Sequence, residues 1–179
     1  MRTLATSLDR LSLALHRLAL WGAAGAVLVM LAAAGWQVIA RYAFSQPPIW
    51  TEELARFSMV WAGLLGASCA FRLRNDPSLF PDMQLLSGGA GKVLEIVRAL
   101  GVLAFIAPIL WYSLFGPNMN PARGYLARLA GRQAETMDLP MIVFGIAIPI
   151  SFCLIFLHLA AHTAIRFTGQ EESEPTLTP

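Results

Sequence analysis

Two groups of residues carry side chains able to do chemistry. The first is Thr51-Glu52-Glu53, followed by Arg56. Glu52 and Arg56 are four apart and Glu53 and Arg56 three apart, so on a helix either pair shares a face and can form an ion pair. Thr51 is expected to cap that helix by accepting from orphan N–H groups two or three residues on. Both acids suit the positive end of the macrodipole. The second group is histidine: His158 and His162 lie at i, i+4, and His16 falls on the same side of the membrane in the topology derived below. Paired histidines in a helical bundle can hold a b-type haem. Its axial ligands must approach from opposite sides of the ring, however, which two residues on one helix turn cannot do. Interfacial histidines near the headgroups are the plainer expectation. Cys69 and Cys153 fall in apolar runs and are read as small buried residues rather than a disulfide or a metal pair. The sequence has no Ser/His/Asp, metal or nucleotide constellation. Gly88-Gly89-Ala90-Gly91 has the wrong spacing for a phosphate loop, follows no strand, and reads as a hinge or turn.

The elements that must position these residues follow from composition and periodicity. Apolar residues make up 56% of the chain and charged ones 13%, the latter about half the usual share of soluble domains. Mean hydropathy is +0.59. The fold class predicted is an all-α integral membrane protein with four transmembrane helices and short amphipathic surface helices. A net charge of +2 is too small to argue for nucleic acid. Residues 1–17 read as an amphipathic helix on the membrane surface: Leu4, Leu8, Leu11, Leu15 and Leu18 recur at helical spacing among Arg2, Arg10 and Arg17, which favour anionic lipid. A four-helix membrane domain is expected over 18–166, with spans at about 18–40, 54–71, 93–115 and 139–165, and a disordered acidic tail over 167–179. A signal peptide cleaved near Ala32-Ala33-Ala34 is disfavoured by the long charged lead and by apolar sequence continuing past those alanines. Asn120-Pro121 reads as the cap and first residue of a helix running to about Ala134, carrying Arg123, Arg128 and Arg132. Pro108 and Pro149 lie within the third and fourth spans.

The Lys/Arg distribution orients the bundle. With both termini cytoplasmic, Arg2, Arg10, Arg17, Arg72, Arg74, Lys92, Arg98 and Arg166 lie inside, and Arg41, Arg56, Arg123, Arg128 and Arg132 outside. No Asp, Glu, Lys or Arg falls near the middle of any expected span. Proton relays and charged-solute paths normally need such residues, so the chain reads as scaffold rather than permease. Below Arg56, helical spacing gives Val60, Gly63, Ala67 and Ala70. A stripe of small residues lets another helix approach closely, and in lipid close packing holds helices together.

The run Trp50-Thr51-Glu52-Glu53-Leu54-Ala55-Arg56-Phe57, then Val60-Trp61, then Leu65-Gly66-Ala67-Ser68 with Ala70-Phe71-Arg72, resembles the small membrane subunit (DctQ family) of tripartite ATP-independent periplasmic (TRAP) transporters. Leu139-Pro140 and Ala147-Ile148-Pro149 fit the same pattern, while Arg74-Asn75-Asp76 departs from it where similar proteins commonly carry a His. The resemblance implies a scaffold subunit of a sodium-coupled importer in the bacterial inner membrane, and no enzyme. It implies a large DctM-like partner bearing the substrate and sodium sites, and a periplasmic binding protein delivering a carboxylate-bearing solute. No cofactor is implied on this chain. Trp50, Glu52, Glu53, Arg56 and Trp61 become expected packing contacts, with Gly63, Ala67 and Ala70 below them. Arg123, Arg128 and Arg132 become candidates for receiving the binding protein. Other classes considered are a four-span assembly factor unconnected with transport and a b-type cytochrome-like redox subunit.

Overall fold

In lipid every backbone N–H and C=O must bond within its own segment, so long apolar runs become helices. The computed structural model describes residues 2–73 and 88–168. Among them are four helical stretches long and apolar enough to cross a bilayer. Helix α1 is Arg2–Ala43, α2 is Trp50–Arg72 and α3 is Gly88–Leu114. Short 3-10 turns at Pro117–Met119 and Pro121–Arg123 lead to α4 (Tyr125–Ala130), α5 (Ile142–Gly145) and α6 (Ala147–Thr168). The chain is an all-α membrane protein, as its composition predicted.

Several boundaries differ from the sequence expectation. No break separates a surface helix at 1–17 from a span at 18–40: α1 is one helix of 42 residues, about 63 Å at ~1.5 Å per residue. Up to Ala23 its buried residues are Ala5, Asp9, Ser12, His16, Ala19 and Ala23, a seam spaced alternately four and three, and Ala33 and Ala40 are buried further along. The leucines point outward instead, with Leu4, Leu11 and Leu18 all more than half exposed. The reason is the solvent. Lipid is as apolar as leucine, so nothing drives leucine inward, whereas aspartate, serine and imidazole must find protein partners. The glycine run 88–91, expected as a hinge, forms the first turn of α3. Cys69 is buried as expected, but Cys153 is exposed. The fourth span begins at Ile142 rather than Leu139. It is interrupted between α5 and α6, where Pro149 has no N–H to offer the Gly145 carbonyl. Residue 1, residues 74–87 and the tail from 169 lie outside the described residues.

α1, α2 and α6 pack on one another as a trio, while α3 leans mainly on α6 and α4. Ala19, Ala23, Leu65 and Cys69 form the apolar core, with Trp61 and Leu154 against it. Packing is sparse: only 11% of the most apolar stretch of α1, and of α3, is buried, against 39% in the fourth span. Broad helix faces are therefore left for lipid or partner subunits. Helices α1 and α2 run antiparallel, with the His16 carbonyl facing Cys69 and Asp9 facing Arg72, the last residue of α2. The Asp9 carboxylate accepts from Arg72 at 2.5 Å, and both side chains are 2% exposed.

That pair generates a prediction. Arg72→Met alone strands a buried carboxylate and should lower stability by about 3–5 kcal/mol, whereas Asp9→Leu with Arg72→Met should recover most of the loss. Thermal unfolding in detergent checks it.

Candidate docking site at the head of the second helix

The turn carrying Pro47-Pro48 delivers the chain into α2 at Trp50. Thr51 does not cap the helix by accepting from it. Its hydroxyl donates to the Pro48 carbonyl at 2.7 Å, and the N-cap position is Ile49 with no side-chain bond. The three charged residues that follow point two ways. Glu52 and Arg56 pair at 2.9 Å on the outer face, at 67% and 63% side-chain exposure. Glu53 turns inward and is 9% exposed. It has no ion pair with Arg56. Its carboxylate accepts from the backbone N–H of Glu135 at 2.9 Å, from the N–H of Thr136 at 2.7 Å, and from the Thr136 hydroxyl.

The segment Glu53 holds is a short loop closed on itself. Ala134 N–H donates to the Leu139 carbonyl and Met141 N–H to the Arg132 carbonyl, both at 2.9 Å. Asn120 does cap, accepting from Ala122 N–H at 3.0 Å with Pro121 following. The expected helix from there to Ala134 is divided, however. Gly124 is extended and lies so close to the Leu114 carbonyl that a Cβ would not fit, so the helical path breaks there; α4 then ends at Ala130. Arg123, Arg128 and Arg132 are all exposed but do not share one helix: they sit in a 3-10 turn, in α4 and in the loop respectively. Arg132 lines an open cleft of about 680 Å³ together with Glu52, Glu53, Arg56, Gln133 and Thr136. The other two lie outside it.

Aromatic contacts fix α2 to the fourth span just below. Phe57 stacks on Phe144 with ring centroids 4.0 Å apart, and Trp61 Nε1 donates to the Val143 carbonyl at 3.2 Å. Trp50 is partly exposed at the rim. The stripe below Arg56 is not covered by the described residues: Val60, Gly63 and Ala67 are exposed, Ala70 is half-buried, and a Cβ on Gly63 would meet nothing within 4 Å. The face of α2 that packs internally is the opposite one, through Ser58, Leu65, Ser68 and Arg72. This geometry can hold a loop, offer an ion pair and present a smooth helix face to a partner.

A sequence model of the DctQ component of tripartite ATP-independent periplasmic transporters matches residues 30–169. The chain belongs to the DctQ family. It is thereby a component of a tripartite transporter, a multi-pass membrane protein that works with other subunits. No curated protein matches it.

What sequence reasoning missed in this DctQ chain is the partner of Glu53, because Thr136 is separated from it by 83 positions and no local pattern joins them. It also missed the histidines' surroundings. His16, His158 and His162 are fully buried among protein side chains, alongside Asp9 and Ser12. The spacing of Asp9, Ser12 and His16 on one helical face was the available signal.

Glu53→Gln replaces an acceptor-only carboxylate with an amide that keeps one acceptor oxygen and must turn its NH2 donor toward one of the two backbone N–H groups. Hydrogen exchange at one of the Glu135 and Thr136 amides should accelerate about tenfold, the equivalent of one lost hydrogen bond of about 1.4 kcal/mol. Glu52→Gln should leave both amides unchanged, since exposed pairs contribute about 0–1 kcal/mol.

Proposed function

We propose that this chain is the small scaffold subunit of a sodium-coupled TRAP importer for a carboxylate-bearing organic solute. It sits in the bacterial inner membrane with both termini cytoplasmic. The large subunit carries the substrate and sodium sites, and this chain widens the fixed scaffold against which the transport domain moves. The observation that carries the proposal is the uncovered face of α2, where Arg56, Val60, Gly63 and Ala67 are exposed. A small-residue face packs closely only against another helix, and the described residues supply none there. Sparse burial of α1 and α3 is in keeping with a plate that gains packing on assembly. At the periplasmic end, Arg132 at the cleft, with Arg123 and Arg128 beyond it, supplies exposed cations that can steer an acidic surface of the binding protein.

One experiment separates the two roles. Gly63→Leu with Ala67→Leu should abolish co-purification of the large subunit. Reversing Arg123, Arg128 and Arg132 to Glu should leave co-purification intact but reduce binding-protein-dependent uptake, most strongly at low salt. Intact assembly with both leucines present would place the large subunit elsewhere. Unchanged uptake and salt dependence after the charge reversal would make the arginines a solvated cover.

A further inference from the structure

All three histidines of the chain meet in one buried layer. Helix α1 contributes Asp9, Ser12 and His16; α2 contributes Cys69 and Arg72; α6 contributes His158 and His162. Ser12 Oγ lies 2.7 Å from His158 Nδ1. The His16 and His158 rings meet edge to face at 6.3 Å. His162 stands against Phe71, whose other contact is the Arg98 guanidinium, 5.0 Å from the ring centroid. Glu95, one turn before Arg98 on α3, is buried as well. His16 Nδ1 and His158 Nε2 are buried without a hydrogen-bond partner.

We propose that this layer is an acid-sensitive clamp on the N-terminal end of α1, closed while the imidazoles are uncharged and opened when they take up protons. Among the described residues Asp9 is paired with Arg72. A proton on His16 or His158 adds a second cation beside Arg72 among buried side chains, with Arg17 a further cation acting on His16, and burying a charge without a partner of its own is costly. Parting the helices so that water enters relieves that cost. The opening is local because of how α1 is held. Ahead of Ala19 its buried residues are Ala5, Asp9, Ser12 and His16, so a polar layer supplies most of the grip. Beyond it the apolar core of Ala19, Ala23, Leu65 and Cys69 keeps the trio together. Asp9, Ser12 and His16 precede the stretch that matches the family, and Cys69 and Arg72 lie on the inward face of α2, opposite the docking face.

The test uses the full chain in lipid bilayers with Cys153→Ala. Spin labels go on Ser7→Cys in α1 and Phe167→Cys in α6, both exposed positions. The interspin distance is measured at about pH 8 and about pH 5, the range across which histidine changes charge. A narrow distribution at the higher pH should give way to a longer, broader one at the lower pH. A second label pair on Met59→Cys and Phe156→Cys should not move. The variant carrying His16→Gln, His158→Gln and His162→Gln should stay narrow throughout. An unchanged distance in the chain with native histidines overturns the proposal, whether or not the triple variant inserts. So does movement of the second pair, which would mean general unfolding, or the same broadening without histidines.

Discussion

The Glu53 carboxylate, turned inward at the head of α2, is the interaction on which this end of the bundle depends. Two backbone N–H groups and one hydroxyl converge on it from a loop more than eighty positions away. The loop's backbone donors are satisfied by an acceptor with lone pairs to spare. The Phe57–Phe144 stack and the Trp61–Val143 bond continue the same seam downward. The fourth span is interrupted beside this seam, and the Val143 carbonyl takes a side-chain donor from α2.

Committing Glu53 inward leaves the outward side of α2 to the exposed Glu52–Arg56 pair and the small residues below it. Neighbouring acids thus divide the labour: one builds the fold, the other dresses a surface. At the far end of the bundle, burial is used differently. There the Asp9–Arg72 pair and the histidine layer tie α1 to α2 and α6 through polar groups. Lipid offers those groups no alternative partner, so they face inward while leucines face out.

How much of this was legible depends on the range of each cause. Span number followed from composition, because backbone satisfaction in lipid leaves helices as the outcome for long apolar runs. The Glu52–Arg56 pair and the Asn120 cap were readable because their partners lie within four residues. The fate of Glu53 was not, since helical spacing offered Arg56 and only the tertiary fold offered Thr136. The leucine stripe of α1 misled for a related reason. Its periodicity was real, but amphipathic logic borrowed from water assigns leucine to the interior, and in a bilayer the buried seam was the polar one. Gly124, which divides the expected helix after Asn120, gave no local sign of the Leu114 carbonyl pressed against it.

The division of labour across α2 is tested most directly by a photo-crosslinking amino acid placed at Ala67 in the assembled transporter, with Trp21 on α1 as the comparison site. Both positions are exposed in the isolated chain. A helix of the large subunit over the small-residue stripe predicts efficient capture of that subunit from Ala67 and little from Trp21. Capture of lipid alone from Ala67, with the complex intact, would contradict the assignment of this face as the docking surface.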